Sequence, residues 1–313
     1  MTRDTNPVKI YDVLIIGGGG SGLTAGLYTS RAKLSTAIFE KMAVGGQIAM
    51  TDLVENYPGF PEGVTGPEIS ARMEEQAKRY GAEVLFKEVK SLSKSGKIFE
   101  VKTARDVYGA RSLILASGAS FRMLEVPGER EMTGRGVSYC ATCDGAFFKD
   151  KDICVVGGGD SALQEGLFLT RFASKVTIIH RRDRLRASLI LQERARQNPK
   201  ITFLWDTVIE KISGAKKVEE VELKNVKTGE KSGLKVEGVF IFIGHVPNSS
   251  FLEGFVDLDD KGYVKSPGGY RTSAEGVFVA GELRQDAVRQ LVSSCGEGCG
   301  AALAAQEYLD HQS

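Results

Sequence analysis

No apolar run in this 313-residue chain is long enough to cross a membrane. Stretches such as Val239-Phe240-Ile241-Phe242-Ile243 fall far short of the roughly 20 residues a spanning helix needs. The segment from Met1 to Lys9 is polar, without the apolar core of a secretory signal. No membrane partner and a cytoplasmic setting are therefore expected. Neither sign of charge dominates, with 41 Lys and Arg against 40 Asp and Glu. No bulk field draws the chain to nucleic acid. Histidine is scarce, and His180, His245 and His311 form no cluster. The five cysteines are Cys140, Cys143, Cys154, Cys295 and Cys299. Zinc would need two ligands beyond Cys140 and Cys143. Cys295 and Cys299 lie in a distant segment, so no metal is expected. A C-x-x-C pair in a cytosolic chain otherwise points to redox work.

Glycine, by contrast, is placed with purpose. Tyr11-Asp12-Val13-Leu14-Ile15-Ile16 reads as a buried parallel strand. It runs into Gly17-Gly18-Gly19-Gly20-Ser21-Gly22, then a helix over 21–32 and a strand over 34–39. Glu40 ends that strand, 23 residues after Gly17. This is the dinucleotide fingerprint in its βαβ context. Gly17 makes the tight turn, Gly19 lets backbone approach a pyrophosphate, and Gly22 allows close helix–strand packing. The helix N-terminus favours the negative charge. A carboxylate at Glu40 suits a free ribose 2′-hydroxyl, as in FAD.

The architecture repeats. A strand over 153–156 enters Gly157-Gly158-Gly159-Asp160-Ser161-Ala162, a helix runs over 161–172, and a strand over 175–179 follows. His180 takes the place of Glu40, again at an offset of 23, and opens His180-Arg181-Arg182-Asp183-Arg184-Leu185-Arg186. Guanidinium groups pair bidentately with phosphate. At this strand end, Arg181, Arg182 and Arg186 point to a 2′-phosphate, as in NADPH, rather than to a solvated cluster.

Between the two fingerprints, 66–80 reads as an amphipathic helix and 83–116 as short strands ending at Ser117-Gly118. Strand-like pieces fill 201–243, Gly276 to Glu282 is a last buried strand, and a small-residue helix spans about 287–309. The expected fold class is α/β, with two Rossmann-like three-layer dinucleotide-binding domains. The FAD domain is expected at 1–118 and 248–313, and the NADPH domain, carrying the cysteine pair, at 119–247.

These motifs together resemble the low-molecular-weight, flavin-dependent thioredoxin reductases, from about Asp12 to Tyr308. The residues that carry the resemblance include Gly45-Gly46-Gln47, Glu55-Asn56-Tyr57-Pro58-Gly59, Cys140-Ala141-Thr142-Cys143-Asp144, Gly281-Glu282 and Arg289-Gln290. The resemblance implies a homodimer that uses FAD and NADPH. It places Gly46, Gln47, Asn56, Gly118, Gly281, Glu282, Arg289 and Gln290 at the flavin. Arg289 and Gln290 would stand at a helix start whose N–H groups stabilise negative charge on the flavin. Thr51 and Asp52 fall in the same region without an assigned role. Two departures stand out: Glu282 replaces the usual aspartate, and Cys295 and Cys299 replace small residues. Both thiols read as packing.

The resemblance also implies the electron path. NADPH reduces the flavin, the flavin reduces the Cys140–Cys143 disulfide, and the dithiol reduces thioredoxin or a thioredoxin-like protein. Cys140 would attack the partner, Cys143 would contact the flavin, and Asp144 is the candidate general acid. Arg135 and Phe147–Phe148 are candidates for the docking surface. The NADPH domain is expected to rotate about hinges near 117–121 and 244–248. Two alternatives are a flavin-dependent dithiol oxidase and a ferredoxin-driven reductase, neither of which needs the arginines.

Overall fold

A computed structural model describes residues 9–51 and 54–312, apart from the side chains of Thr142 and Cys143. Asp52, and the Cys143 sulfur with the flavin contact expected of it, lie outside the described residues. The chain divides into two compact units, one running to Ser120 and resuming at Val246, the other Phe121–His245.

The first unit opens with β1 (Ile10–Ile16), α1 (Gly20–Arg31) and β2 (Thr36–Glu40). Strand β1 lies between β2 and another parallel strand. It is covered on both faces, which is why its sequence is a near-continuous apolar run. Helix α2 (Gly66–Arg79) starts after Thr65, whose hydroxyl accepts the Glu68 N–H at 3.3 Å. The strands β3 (Glu83–Phe86), β4 (Ser91–Ser95), β5 (Ile98–Lys102) and β6 (Val107–Leu115) follow, and β7 (Ala119–Phe121) leads out of the unit.

The second unit contains α3 (Glu129–Met132), β8 (Val137–Ser138), α4 (Ala141–Asp144), β9 (Asp152–Gly157), α5 (Asp160–Leu169) and β10 (Lys175–Ile179). Then come α6 (Leu189–Gln197), β11 (Ile201–Leu204), β12 (Thr207–Ser213), β13 (Glu220–Asn225), β14 (Lys231–Lys235) and β15 (Gly238–Phe242). Strand β16 (His245–Pro247) brings the chain back, pairing with β7, and β17 (Val277–Val279) and α7 (Leu291–Asp310) complete the first unit.

In the first unit the strand order is β3-β2-β1-β6. Strand β6 changes partner along its length: Val107–Ala110 pairs antiparallel with β5, and Leu113–Leu115 pairs parallel with β17. Leu23, Ala301, Ala302 and Ala305 from α1 and α7 pack on one face with Val13, Ile15 and Ile114. The small residues of α7 let it approach α1 closely, since a Cβ on Gly298 would sit 2.2 Å from the Ser21 carbonyl oxygen. The second unit has a parallel sheet in the order β11-β10-β9-β15-β8. Leu163, Leu169 and Ala195 cover one face, and the antiparallel strands β12, β13 and β14 cover the other with Ile212, Val221 and Leu223. Each fully buried Leu, Ile or Phe contributes ~1.5–3 kcal/mol to such cores.

Two helix ends differ from the sequence expectation by more than one residue. Helix α5 stops at Leu169 rather than Phe172, where the Thr170 hydroxyl turns back to the Leu167 carbonyl at 2.7 Å. Helix α7 starts at Leu291 rather than 287, because Asp286 has φ +60 and Gln290 is extended. Among the described residues no helix is long and apolar enough to cross a membrane. Nor do they hold a His, Cys, Asp and Glu group of three or more suited to a metal ion.

Candidate functional site

In the first unit the site gathers at the carboxyl ends of β1, β2 and β17, where open parallel sheets bind nucleotides. Gly17 has φ +113, and a Cβ on it would lie 2.1 Å from the Ala116 carbonyl oxygen. A Cβ on Gly22 would lie 1.8 Å from the Gly17 carbonyl oxygen, so helix and turn touch there. Gly19 opens instead onto free space, with nothing within 4 Å of a Cβ. It precedes the first turn of α1, which has no acidic residue and no side-chain cap. This fits a pyrophosphate held by backbone N–H groups. The Glu40 carboxylate is oriented by the N–H groups of Gly18 at 2.9 Å and Met42 at 3.0 Å.

Residues far apart in sequence converge beside this turn. The Gln47 amide donates to the Ala119 carbonyl at 2.9 Å and to Glu282 Oε2 at 3.2 Å. Burial pushes the Glu282 carboxyl above its ordinary range, opposed by the Arg289 charge and the Gln47 amide. Asn56 donates to Gln290 Oε1 at 2.8 Å. Gln290 precedes α7 without capping it, which leaves N–H groups of that helix free for an anion. Arg289 donates to the Tyr263 hydroxyl at 2.8 Å and lies over its ring at 5.6 Å. Tyr263 was not singled out in the sequence, because nothing local marks it. Gly46 is exposed at the edge of this cluster, and Gly118, at φ +65, precedes β7.

Of the two extra thiols, Cys295 is buried and Cys299 half-buried. Burial pushes the Cys295 thiol up, against hydrogen bonds with Thr24 and Tyr57, and burial takes Tyr57 up to about 12. A protonated buried thiol is a poor nucleophile. Replacing Cys295 and Cys299 together with alanine is expected to leave turnover within about twofold. Steady-state assay of the double variant checks this, and a large drop would reveal an auxiliary dithiol. Cys154, with no exposed surface inside β9, is packing.

The second unit carries its own cradle. Gly157 ends β9, Gly159 again faces open space, and Ala162 is buried against the turn. Asp160 and Ser161 are exposed, and Asp160 Oδ1 accepts the Ser188 N–H at 2.6 Å. Gly158 lies on the His180 imidazole, whose ring atoms would stand 2.4 Å from a Cβ. His180 is thus buried at 5% exposure, with Nε2 3.0 Å from the Arg184 carbonyl oxygen. Arg181, Arg182 and Arg186 are exposed, with no ion pair among the described residues. Free guanidiniums at this strand end fit a phosphate.

Burial holds the His180 pKa below 6.5, against the Arg184 carbonyl and aided by the neighbouring arginines. The folded protein then binds fewer protons here than the unfolded chain. This contribution is complete above about pH 6.5 and is lost as pH falls through the lowered folded value. Denaturant melts between pH 7.5 and 5.5 are expected to show a smaller acid-side loss in His180→Gln than in the unaltered protein. Parallel curves would contradict the assignment.

Cys140 is disulfide-bonded, whereas Cys154, Cys295 and Cys299 are free. The Cys140 N–H donates to the Ser138 hydroxyl oxygen at 3.0 Å, and its carbonyl accepts the Asp144 N–H at 3.2 Å. The Asp144 side chain does not cap the short helix that follows it. Tyr139, next in sequence to Cys140, donates to Glu129 Oε1 at 2.6 Å. Glu129 has no exposed surface, and it also accepts the N–H groups of Leu124 and Glu125 at 2.7 and 2.5 Å. The Tyr139 ring stacks on Phe121 at 6.3 Å. Of the docking candidates, Arg135 and Phe147 are exposed, Phe147 by 72%. Phe148 is core, edge-on to Phe240 at 5.1 Å, so it offers no free surface.

A family model described as pyridine nucleotide-disulphide oxidoreductase matches residues 11–298. The thioredoxin reductase of Bacillus subtilis is 50% identical over 303 residues, 96% of each chain. That of Mycolicibacterium smegmatis is 51% identical over 304 residues, covering 97% of this chain and 98% of its own. Among solved structures, Lactococcus lactis thioredoxin reductase superimposes with a TM-score of 0.94 at 43% identity, covering 96% of this chain and 99% of that one.

Proposed function

Since the chain belongs to the pyridine nucleotide-disulphide oxidoreductase family and, within it, to the thioredoxin reductases, we propose that it carries electrons from NADPH through FAD and a Cys140–Cys143 disulfide to thioredoxin. One observation carries this reading beyond the family. Cys140 is disulfide-bonded in the same unit whose second dinucleotide strand ends in exposed arginines that form no ion pair among the described residues. A dithiol oxidase or a ferredoxin-driven reductase has no use for those arginines.

Gly17, Gly19, Gly22, Glu40, Gln47 and Glu282 would hold FAD. Gly157, Gly159, Arg181, Arg182 and Arg186 would hold NADPH. Bound FAD supplies a two-electron relay between hydride and disulfide. Reduction of the protein disulfide leaves two thiols. The Cys140 thiolate attacks one sulfur of the partner disulfide, forming a mixed disulfide and expelling the other partner sulfur as thiolate. Cys143 then attacks Cys140 Sγ, which restores the protein disulfide and releases the partner as dithiol. Asp144 would supply a proton to the departing thiolate.

The same reading makes the working protein a homodimer whose second unit turns about the crossovers. Support for the turning is local. Gly118 and Gly244 stand at positive φ beside the crossovers, with nothing within 4 Å of a Cβ on either. The deciding experiment is anaerobic: purified protein, FAD and NADPH, with and without oxidised thioredoxin. NADPH consumption that continues only when thioredoxin is present is expected. Consumption indifferent to thioredoxin, or driven only by oxygen, would refute the proposal.

A further inference from the structure

The turn after β17 carries two of the flavin-site positions, Gly281 and Glu282. Gly281 has φ +73, a region open to glycine. A Cβ on it would fall 2.6 Å from Ser21 Oγ in the first turn of α1. Its N–H donates to Glu297 Oε2 at 2.9 Å. Glu297 lies on α7 and is only 8% exposed. Its carboxylate also takes Arg284 in a fork, Nη2 to Oε1 at 2.6 Å and Nε to Oε2 at 3.2 Å. The Arg284 N–H closes back on the Gly281 carbonyl at 3.0 Å. One carboxylate therefore grips the turn at its first residue and just past its last. The next residue, Gly298, presses on the Ser21 carbonyl, with a Cβ distance of 2.2 Å. Turn, α7 and the start of α1 meet at a single joint.

We propose that the Arg284–Glu297 ion pair is a positioning device for the flavin site, which fixes the Gly281–Leu283 turn and so keeps Glu282 against Gln47. The inference rests on the reading of the first unit as the FAD site. Both Glu297 oxygens are engaged by the turn, so the pair acts through Gly281 and Glu282 rather than on the cofactor. A buried ion pair is a weak source of net stability, because desolvation offsets its attraction. Its effect lies in holding geometry. At metal sites, removing such supporting partners typically costs about 10–100-fold in affinity, and a similar scale is expected for FAD.

The test uses the full-length protein stripped of FAD and reloaded. Glu297→Gln keeps an acceptor for the Gly281 N–H but loses the charge facing Arg284. Arg284→Met leaves the carboxylate on Gly281 alone. FAD dissociation constants come from quenching of flavin fluorescence, and melting temperatures are taken with and without FAD. Both variants are expected to bind FAD on the order of 10-fold more weakly, with a smaller FAD-induced rise in melting temperature. An unchanged FAD dissociation constant, with both melting temperatures lowered in parallel, would make the pair a plain strut and overturn the proposal. Failure of both variants to fold without FAD would overturn it too. If the unaltered protein takes up no FAD, the flavin-site reading fails instead.

Discussion

Cys140→Ser protein mixed anaerobically with NADPH is expected to lose its yellow colour at nearly the unaltered rate, yet to leave thioredoxin oxidised. The two half-reactions draw on different residues. On the proposed reading, NADPH binding would rest on the Gly157 turn and the arginines after β10, and Cys140 belongs to neither. Partner reduction depends on a thiolate, and a serine hydroxyl does not open a disulfide at neutral pH. Removing a nucleophile typically costs at least ~10³-fold, so thioredoxin reduction should drop to background. Stopped-flow absorbance reports the first half-reaction and thiol release from thioredoxin the second. Persistent thioredoxin reduction would show that another thiol does the work. Cys295 is poorly suited to that, because burial pushes its thiol up.

The second large effect concerns Arg181 and Arg182. Both are exposed just past the end of β10, directly after His180, which holds the offset that Glu40 has in the first unit. A charge-assisted hydrogen bond to phosphate is worth about 1.5–3 kcal/mol. Losing two such bonds should raise the KM for NADPH by at least about 100-fold. NADH lacks the 2′-phosphate, so its KM should move by no more than about threefold. The double variant Arg181→Gln/Arg182→Gln, assayed with both nucleotides, gives the comparison. An equal loss for the two would mean that the arginines support the fold or a different part of the nucleotide. The NADPH to NADH ratio is the informative quantity, since it cancels any general damage to the unit.

Strands β1, β9 and β10 are legible because a parallel strand covered on both faces is apolar along most of its length. The βαβ turns were legible because the Gly17–Gly22 approach tolerates no side chain. Glu40 and His180 stand at equal offsets from those turns, and that marks the arginines that follow His180. What escaped the sequence was contact between distant residues. Gln47 and Glu282 meet across 235 positions, and Arg284 and Glu297 meet through a helix otherwise read as small and bland. A lone glutamate within Ser-Ser-Cys-Gly-Glu-Gly-Cys-Gly was the one available hint. His180 was placed at the right strand end, but its burial under Gly158 depends on a turn of the backbone that composition does not encode. Phe147 and Phe148 look alike in sequence and part company in space, because alternate sides of one short turn face solvent and core.

The central claim is that electrons from NADPH reach the Cys140 disulfide. Anaerobic titration with NADPH, followed by thiol counting in denaturant, tests it most directly. The chain has five cysteines, three of them free as Cys154, Cys295 and Cys299. The count is expected to rise from three to five per chain as the flavin colour is titrated. A flavin that bleaches fully while the count stays at three would contradict the account.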